Sequence, residues 1–138
     1  MTTASTQTKP TIGAIWRNGL IAAVVAAAIN SVLYFIGAAM GGFPPDVLTT
    51  MGTSITVVPV VLFTVVSILA GTLVYTILNW LTKNPNRWFT ILAVVVLILM
   101  AYTPFTLPGA PMLMNLLLQV MHLVAGGAAI YFLRRSQV

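Results

Sequence analysis

Polar side chains inside otherwise apolar segments are the residues of this chain that could do chemistry. The fourth apolar segment carries Asn115, Gln119 and His122, whose spacing of four and three residues places them on one helix face. Asn30 lies near the middle of the first segment, and Ser67 lies near the middle of the second. These five residues form a candidate ligand-binding site or an interhelical polar seam.

His122 is the single histidine of the chain, and it has two interpretations. In the functional one it is a cofactor ligand, a proton carrier or a hydrogen-bond donor to a bound molecule. In the structural one it is a neutral imidazole that hydrogen-bonds across the helix seam, with Asn30 as the obvious partner. The structural interpretation is favoured, because interhelical polar contacts of this kind are common in membrane helix bundles.

Most other kinds of chemistry lack the residues that they need. The sequence has no cysteine and one acidic residue, Asp46, which excludes thiolate chemistry, disulfides and paired-carboxylate mechanisms. It also has no metal-binding cluster of histidines and no phosphate-binding glycine loop. The sequence therefore predicts a protein that is not an enzyme and has no metal or cofactor, unless His122 binds one.

The segments that hold these residues have the composition of membrane spans. The chain has 138 residues, of which 59% are hydrophobic and only 5% are charged, whereas a soluble domain is about 25% charged. We predict an all-α fold, an integral membrane antiparallel four-helix bundle. A disordered cytoplasmic tail, residues 1–15, precedes a single transmembrane domain, residues 16–138. The predicted spans, each close to the length that crosses a bilayer, are residues 20–39, 57–79, 88–103 and 112–133.

Small and polar residues indicate which helices pack together. They form stripes at helical spacing on the first, second and fourth spans, and the third span has almost none. We therefore expect the third span to be the most exposed to lipid, or to face a partner. Gly37 and Gly41 form a G-x-x-x-G, but they run directly into a Gly-Gly-Phe-Pro-Pro turn, which favours a role in the loop.

Positive charges predict the orientation of the bundle. With four crossings, all six basic residues fall on one side and Asp46 falls on the other. Cytoplasmic loops collect Lys and Arg, so both termini are predicted to be cytoplasmic. The cations flank apolar segments and do not form one basic face, so the predicted partner is the lipid bilayer and not nucleic acid. The basic residues are Lys9, Arg17, Lys83, Arg87, Arg134 and Arg135.

The second half of the chain resembles a known family. Asn86–Phe89 opens an aliphatic span that ends at Tyr102–Phe105, and the next span carries Leu117–Gly126 with its Met-His pair. Together with Asn30, this pattern resembles a family of small uncharacterised four-helix bacterial membrane proteins, classed as a domain of unknown function. The resemblance implies four spans, a bacterial inner (plasma) membrane and His122 as a position to test. It implies no activity.

The predicted function is that of a non-enzymatic structural or accessory subunit, which acts through helix packing in a homo-oligomer or a larger membrane complex. Two other classes stay open. A cofactor-binding protein would use His122 as axial ligand to haem or a chlorophyll-type pigment. A bis-histidine haem would need a second histidine, which a symmetric dimer supplies. A small transporter or channel would need a continuous polar path, and the sequence offers one short uncharged stripe.

Overall fold

The structure, a computed structural model, describes residues 8–137. Within that range the chain forms four α-helices and two short 3-10 helices, without a β-strand. The predicted all-α fold is therefore confirmed. The α-helices are α1 (Ile12–Ala39), α2 (Val57–Leu81), α3 (Pro85–Met100) and α4 (Met112–Arg134), and the 3-10 turns are Thr103–Thr106 and Arg135–Gln137.

Each α-helix belongs to a segment that is long and apolar enough to cross a membrane. The shortest of the four segments has 22 residues, and about 20 are needed for a hydrocarbon core of about 30 Å. These are the dimensions of a multi-pass membrane protein, as the composition predicts. The segments are Ile12–Ala39, Val57–Leu81, Pro85–Thr106 and Met112–Gln137.

The helix ends follow local capping signals, which shifts α1 from its predicted start. The Thr11 side chain accepts a hydrogen bond from the Ala14 amide at 3.2 Å, so the helix begins well before the apolar run. The last residues of the predicted tail, 1–15, are therefore helical, and residues 1–7 lie outside the described part. At α3, Pro85 occupies the first turn, where its missing N–H costs no helical hydrogen bond.

Glycines end α1 in a Schellman turn. Gly41 has a φ of 74°, in the left-handed region that glycine adopts without strain. The Gly42 amide donates to the Gly37 carbonyl at 2.7 Å, and the Gly41 amide donates to the Ala38 carbonyl at 3.0 Å. The G-x-x-x-G spacing therefore serves the loop. Gly37 also lies against Leu117 of α4, where a Cβ would overlap that side chain.

The helix α1 is the centre of the bundle. It packs along both α2 and α4, whereas α3 makes far fewer contacts with its neighbours. Small residues permit the close approach, since a Cβ on Gly19 would overlap the Thr72 side chain of α2. On α3 only Pro85 and Phe89 are buried. The third span is therefore the least buried of the four, as expected of a helix that faces lipid or a partner.

Hydrogen bonds join the helices at the end of the bundle that carries the cations. Asn18 of α1 donates to the Ser136 hydroxyl after α4 at 3.0 Å. The Tyr75 hydroxyl of α2 donates to the side-chain oxygen Oδ1 of Asn86 in α3 at 2.7 Å, and the Asn86 side-chain amide donates to the side-chain oxygen of Gln137. The start of α1, the end of α2, the start of α3 and the end of α4 therefore meet, which makes the bundle antiparallel.

Two further bonds tie the chain before α1 to the end of α2. The Lys9 ammonium donates to the Asn79 carbonyl at 2.8 Å, and the Asn79 side-chain amide donates to the Pro10 carbonyl at 3.1 Å. The sequence alone did not predict these bonds of Asn18 and Asn79. A signal was present, because most of the bonded polar residues at this end lie within one helical turn of a Lys or Arg.

Candidate intramembrane binding cavity

A long cavity lies between α2, α3 and α4 and reaches Asn30 of α1. Its volume is about 510 Å³, within the range of about 300–1,000 Å³ that is typical of ligand sites. It follows α2 from Pro59 to Val74, a stretch of about 22 Å at 1.5 Å per residue. It is therefore an elongated space that extends along most of the hydrocarbon core.

Small side chains and the position of α3 create this space. Phe89 holds α3 at its N-terminal end through an edge-to-face contact with Tyr75, with ring centroids 5.3 Å apart. Beyond that contact α3 is sparsely packed against α2, and the helices face each other across residues with little volume. These small lining residues are Ala70, Gly71, Ala93, Ala125, Gly126 and Ala129.

Asn30 links three helices at the cavity. Its side-chain amide donates to the Thr64 hydroxyl oxygen of α2 at 3.0 Å and to the Met121 carbonyl of α4 at 3.2 Å. The Thr64 hydroxyl itself donates to the Val60 carbonyl at 2.7 Å, so its oxygen can only accept. Both N–H groups of Asn30 thus have partners, which fixes the orientation of the amide. The side chain is 1% exposed.

The predicted hydrogen bond between Asn30 and His122 is wrong. Asn30 bonds to the main chain of Met121, and successive residues of a helix point about 100° apart. Met121 and His122 both line the cavity, and no hydrogen bond joins the His122 ring to Asn30. Asn30 Oδ1 is buried without a hydrogen-bond partner among residues 8–137, and the His122 ring lies against the Leu118 backbone, one turn earlier in α4.

The remaining candidate residues divide into two groups. Ser67 lines the same cavity as Asn30 and His122, but Asn115 and Gln119 do not. The Gln119 amide reaches from α4 to donate to the Ala101 carbonyl at the end of α3. Asn115 is buried in the first turn of α4. The predicted polar face of α4 therefore separates: His122 lines the cavity, and Gln119 bonds to the end of α3.

The two groups that accept hydrogen bonds from Asn30, the Thr64 hydroxyl and the Met121 carbonyl, were not predicted as site residues. Thr64 stood on a polar stripe of the second span, and the structure makes it the acceptor for Asn30. The Met121 carbonyl has no signal in the sequence, because every residue has a carbonyl and only the packing decides which one is bonded. Main-chain partners of this kind are decided by the three-dimensional packing of the helices.

The cavity suits an uncharged molecule. No Lys, Arg, Asp or Glu lines it, and its few polar groups are amide, hydroxyl and imidazole. No group of three or more potential metal ligands occurs in the part of the chain that the structure describes. The arrangement offers hydrogen bonds to one small polar group and apolar contact along the rest of its length.

A family model with the description "Family of unknown function (DUF6069)" matches residues 10–138. The chain belongs to the DUF6069 family. This confirms the resemblance to a family of small uncharacterised proteins, and it extends that resemblance from the second half to all four helices. No curated protein sequence and no solved structure matches this DUF6069 chain.

The DUF6069 match covers every residue that forms the cavity. The family description assigns no activity.

Proposed function

We propose that this DUF6069 protein is a non-enzymatic accessory protein of a membrane, which binds a lipid-soluble molecule between α2, α3 and α4. The observation that carries the proposal is the elongated cavity of about 510 Å³, with polar groups on a mainly apolar lining. Ligand sites are typically apolar spaces of this size with a small number of polar groups that orient the ligand.

The route of entry is from the bilayer, between α2 and α3. Ser67 of α2 and Leu92 of α3 are exposed on the outside of the bundle and also line the cavity. The α2–α3 contact is sparse, so a molecule dissolved in lipid reaches the cavity without crossing a polar barrier. Phe89 closes the cavity towards the cationic end.

A photoactivatable probe tests this proposal. We would reconstitute the protein in lipid nanodiscs with a long-chain alcohol that carries a diazirine, and map the labelled residues by mass spectrometry. We expect saturable labelling of cavity residues on α2, α3 and α4. Ser67→Phe should suppress it by filling the opening, whereas Val66→Phe, at the adjacent exposed residue outside the cavity, should not. Unsaturable labelling spread evenly over all lipid-facing helix surfaces would overturn the proposal.

For location, we propose a bacterial inner membrane with both termini in the cytoplasm. The support is the charge distribution: the six basic residues belong to one end of the antiparallel bundle, and Asp46 belongs to the loop at the other end. Cytoplasmic loops of bacterial membrane proteins collect Lys and Arg.

A structural subunit that acts through helix packing is the second candidate. The favouring observation is α3, where the large side chains beyond Phe89 are mostly exposed and available to a second copy of the chain. Light scattering of the detergent-solubilised protein would then show a homo-oligomer, and a monomer at every concentration would exclude this candidate. A partner of another kind would co-purify in a larger membrane complex.

The cofactor alternative is a special case of ligand binding, with His122 as axial ligand to haem or a chlorophyll-type pigment. The observation that supports this alternative is that His122 lines the cavity. A visible absorption band present in the purified protein and lost in His122→Ala would support it, and a spectrum without such a band would exclude it. No observation favours a small transporter or channel, since the cavity lining carries no charge.

A further inference from the structure

A polar pocket lies at the cationic end of the bundle, between the start of α3 and the end of α4. Its volume is about 490 Å³, and it shares no lining residue with the intramembrane cavity. We propose that this pocket binds the phosphate of an anionic phospholipid through Arg87 and Arg134. The proposal does not depend on what the intramembrane cavity binds. Six of the seven lining residues are polar: Asn84, Asn86, Arg87, Thr90, Arg134 and Gln137.

The lining of the pocket has two positive charges and no negative one. Arg87 lies in the first turn of α3, Arg134 is the last residue of α4, and both side chains are exposed. The single acidic residue of the chain, Asp46, belongs to the loop at the opposite end of the bundle. Two like charges without a counter-charge produce a positive potential, which attracts an anion.

Two other cations at this end have partners within the protein. The Lys9 ammonium donates to the Asn79 carbonyl at 2.8 Å, and the Arg135 guanidinium stacks on the Tyr131 ring at 4.3 Å from its centroid. Among residues 8–137, the two guanidinium groups of the pocket make no hydrogen bond, ion pair or ring contact of this kind. Their N–H groups therefore remain available to a ligand.

Hydrogen bonds around the pocket occupy its acceptors and leave its donors unused. Asn86 Oδ1 accepts from the Tyr75 hydroxyl at 2.7 Å, and the Gln137 side-chain oxygen accepts from the Asn86 side-chain amide. The Thr90 hydroxyl donates to the Asn86 carbonyl at 2.7 Å. The Asn84 side chain makes no capping bond to α3, so its amide can turn its N–H groups to a ligand. A group that only accepts hydrogen bonds, as an ionised phosphodiester does, fits this set of donors.

The helix dipoles do not account for both arginines. The N-terminal end of α3 meets the C-terminal end of α4 at this pocket, so their dipoles oppose each other. Arg134 compensates for the C-terminal end of α4, but Arg87 stands in a first turn, where a cation is unfavourable. A bound phosphate gives Arg87 a favourable partner, because guanidinium and phosphate form paired, charge-assisted hydrogen bonds.

The surroundings of the pocket favour a lipid as the source of the phosphate. Its seventh lining residue is Ile91, an exposed side chain that begins an exposed apolar face of α3 with Val94, Val95 and Ile98. Acyl chains attached to a bound phosphate can continue along this face. Basic pockets between membrane helices are known binding sites for anionic head groups. A zwitterionic lipid would bring an ammonium group that finds two cations and no carboxylate.

Native mass spectrometry in an uncharged detergent tests the proposal with two lipids of equal chain length, phosphatidylglycerol and phosphatidylethanolamine. We expect phosphatidylglycerol to bind roughly tenfold more tightly, and Arg87→Gln with Arg134→Gln to remove that preference. Arg17→Gln with Lys83→Gln is the matched control, because it removes the same charge from exposed residues of this end outside the pocket. A C-terminal affinity tag on every variant keeps the terminal carboxylate of the chain away from the arginines.

Equal binding of the two lipids by the unaltered protein would overturn the proposal, whether or not the variants fold. Equal loss of the preference in both double variants would assign it to the net charge of this end, and would overturn the pocket. Inorganic phosphate separates the two sources of phosphate. Displacement of phosphatidylglycerol by millimolar phosphate, but not by sodium chloride of equal ionic strength, would make the site one for free phosphate and overturn the lipid. We expect the lipid to stay bound.

Discussion

Asn30 connects three helices of the bundle through a single side-chain amide. Its nitrogen joins α1 to the side chain of Thr64 in α2 and to the main chain of Met121 in α4, so one buried residue connects three helices. Interhelical hydrogen bonds of this type contribute about 0.6 kcal/mol on average and up to about 1.7 kcal/mol in membrane proteins. The stabilisation is modest, but the bonds fix the orientation of the amide.

Gly19 is the residue that allows α1 to approach α2 closely, and its substitution tests that packing. We predict that Gly19→Ala lowers the free energy of unfolding by about 1–3 kcal/mol, since its Cβ would overlap Thr72, whose hydroxyl is bonded to the Ile68 carbonyl. Titration with a denaturing detergent measures the change. Gly13→Ala on the same helix is the control, because a Cβ there has no atom within 4 Å.

Equal stabilities of the two alanine variants would contradict the close packing of α1 and α2. A second check is compensation: Thr72→Ala should restore much of the stability of Gly19→Ala, because it removes the atoms that the new methyl group meets.

Among the elements, α3 stands apart from the other helices. Only Pro85 and Phe89 of α3 are buried, and Gln119 of α4 bonds to the Ala101 carbonyl at its far end. Leu97 lies close against Gly126 of α4 between these points. A helix that is attached at separate points along one edge leaves space beside it, and that is where the cavity lies.

The sequence predicts features that depend on local properties better than features that depend on how the helices pack. The spans depend on length and hydrophobicity, which are local properties, so they agree with the helices. The start of α1 depends on the Thr11 cap, outside the apolar run. The partner of Asn30 depends on the rotation of α4, which brings the Met121 carbonyl and not the His122 ring to the Asn30 amide. Sequence spacing gives a shared face, but it does not give the absolute rotation of that face.

Phe89 is the side chain that should decide whether α3 stays in place. We predict that Phe89→Ala lowers the free energy of unfolding by about 3 kcal/mol, at the low end for a buried phenylalanine because lipid adds little hydrophobic driving force. Val95→Ala, at an exposed residue of α3 outside the cavity, should change it by less than about 0.5 kcal/mol. The same detergent titration compares the two, and similar losses would show that α3 is not anchored through Phe89.

On the scale of the whole molecule, the two ends of the bundle differ in chemistry. One end carries the basic residues together with the hydrogen bonds of Asn18, Asn79 and Asn86, which join all four helices. The other end carries Asp46 and glycine- and proline-containing turns. Because lipid cannot satisfy polar groups, the asparagine bonds hold the helix ends together near the depth where the membrane meets water.

The charge difference between these ends leads to a prediction about orientation in the cell. The chain has no cysteine, so single substitutions can be labelled without background. Thr50 is exposed in the loop between α1 and α2, and Asn84 is exposed at the start of α3, at the opposite end. We expect a membrane-impermeant maleimide to label Thr50→Cys in intact bacterial cells, because the end with few cations should face outward. Asn84→Cys should react only after the membrane is permeabilised. The reverse pattern would show that the cations lie outside. Labelling of both residues in intact cells would place both ends of α2 on the same side of the membrane, and would contradict the four-span topology.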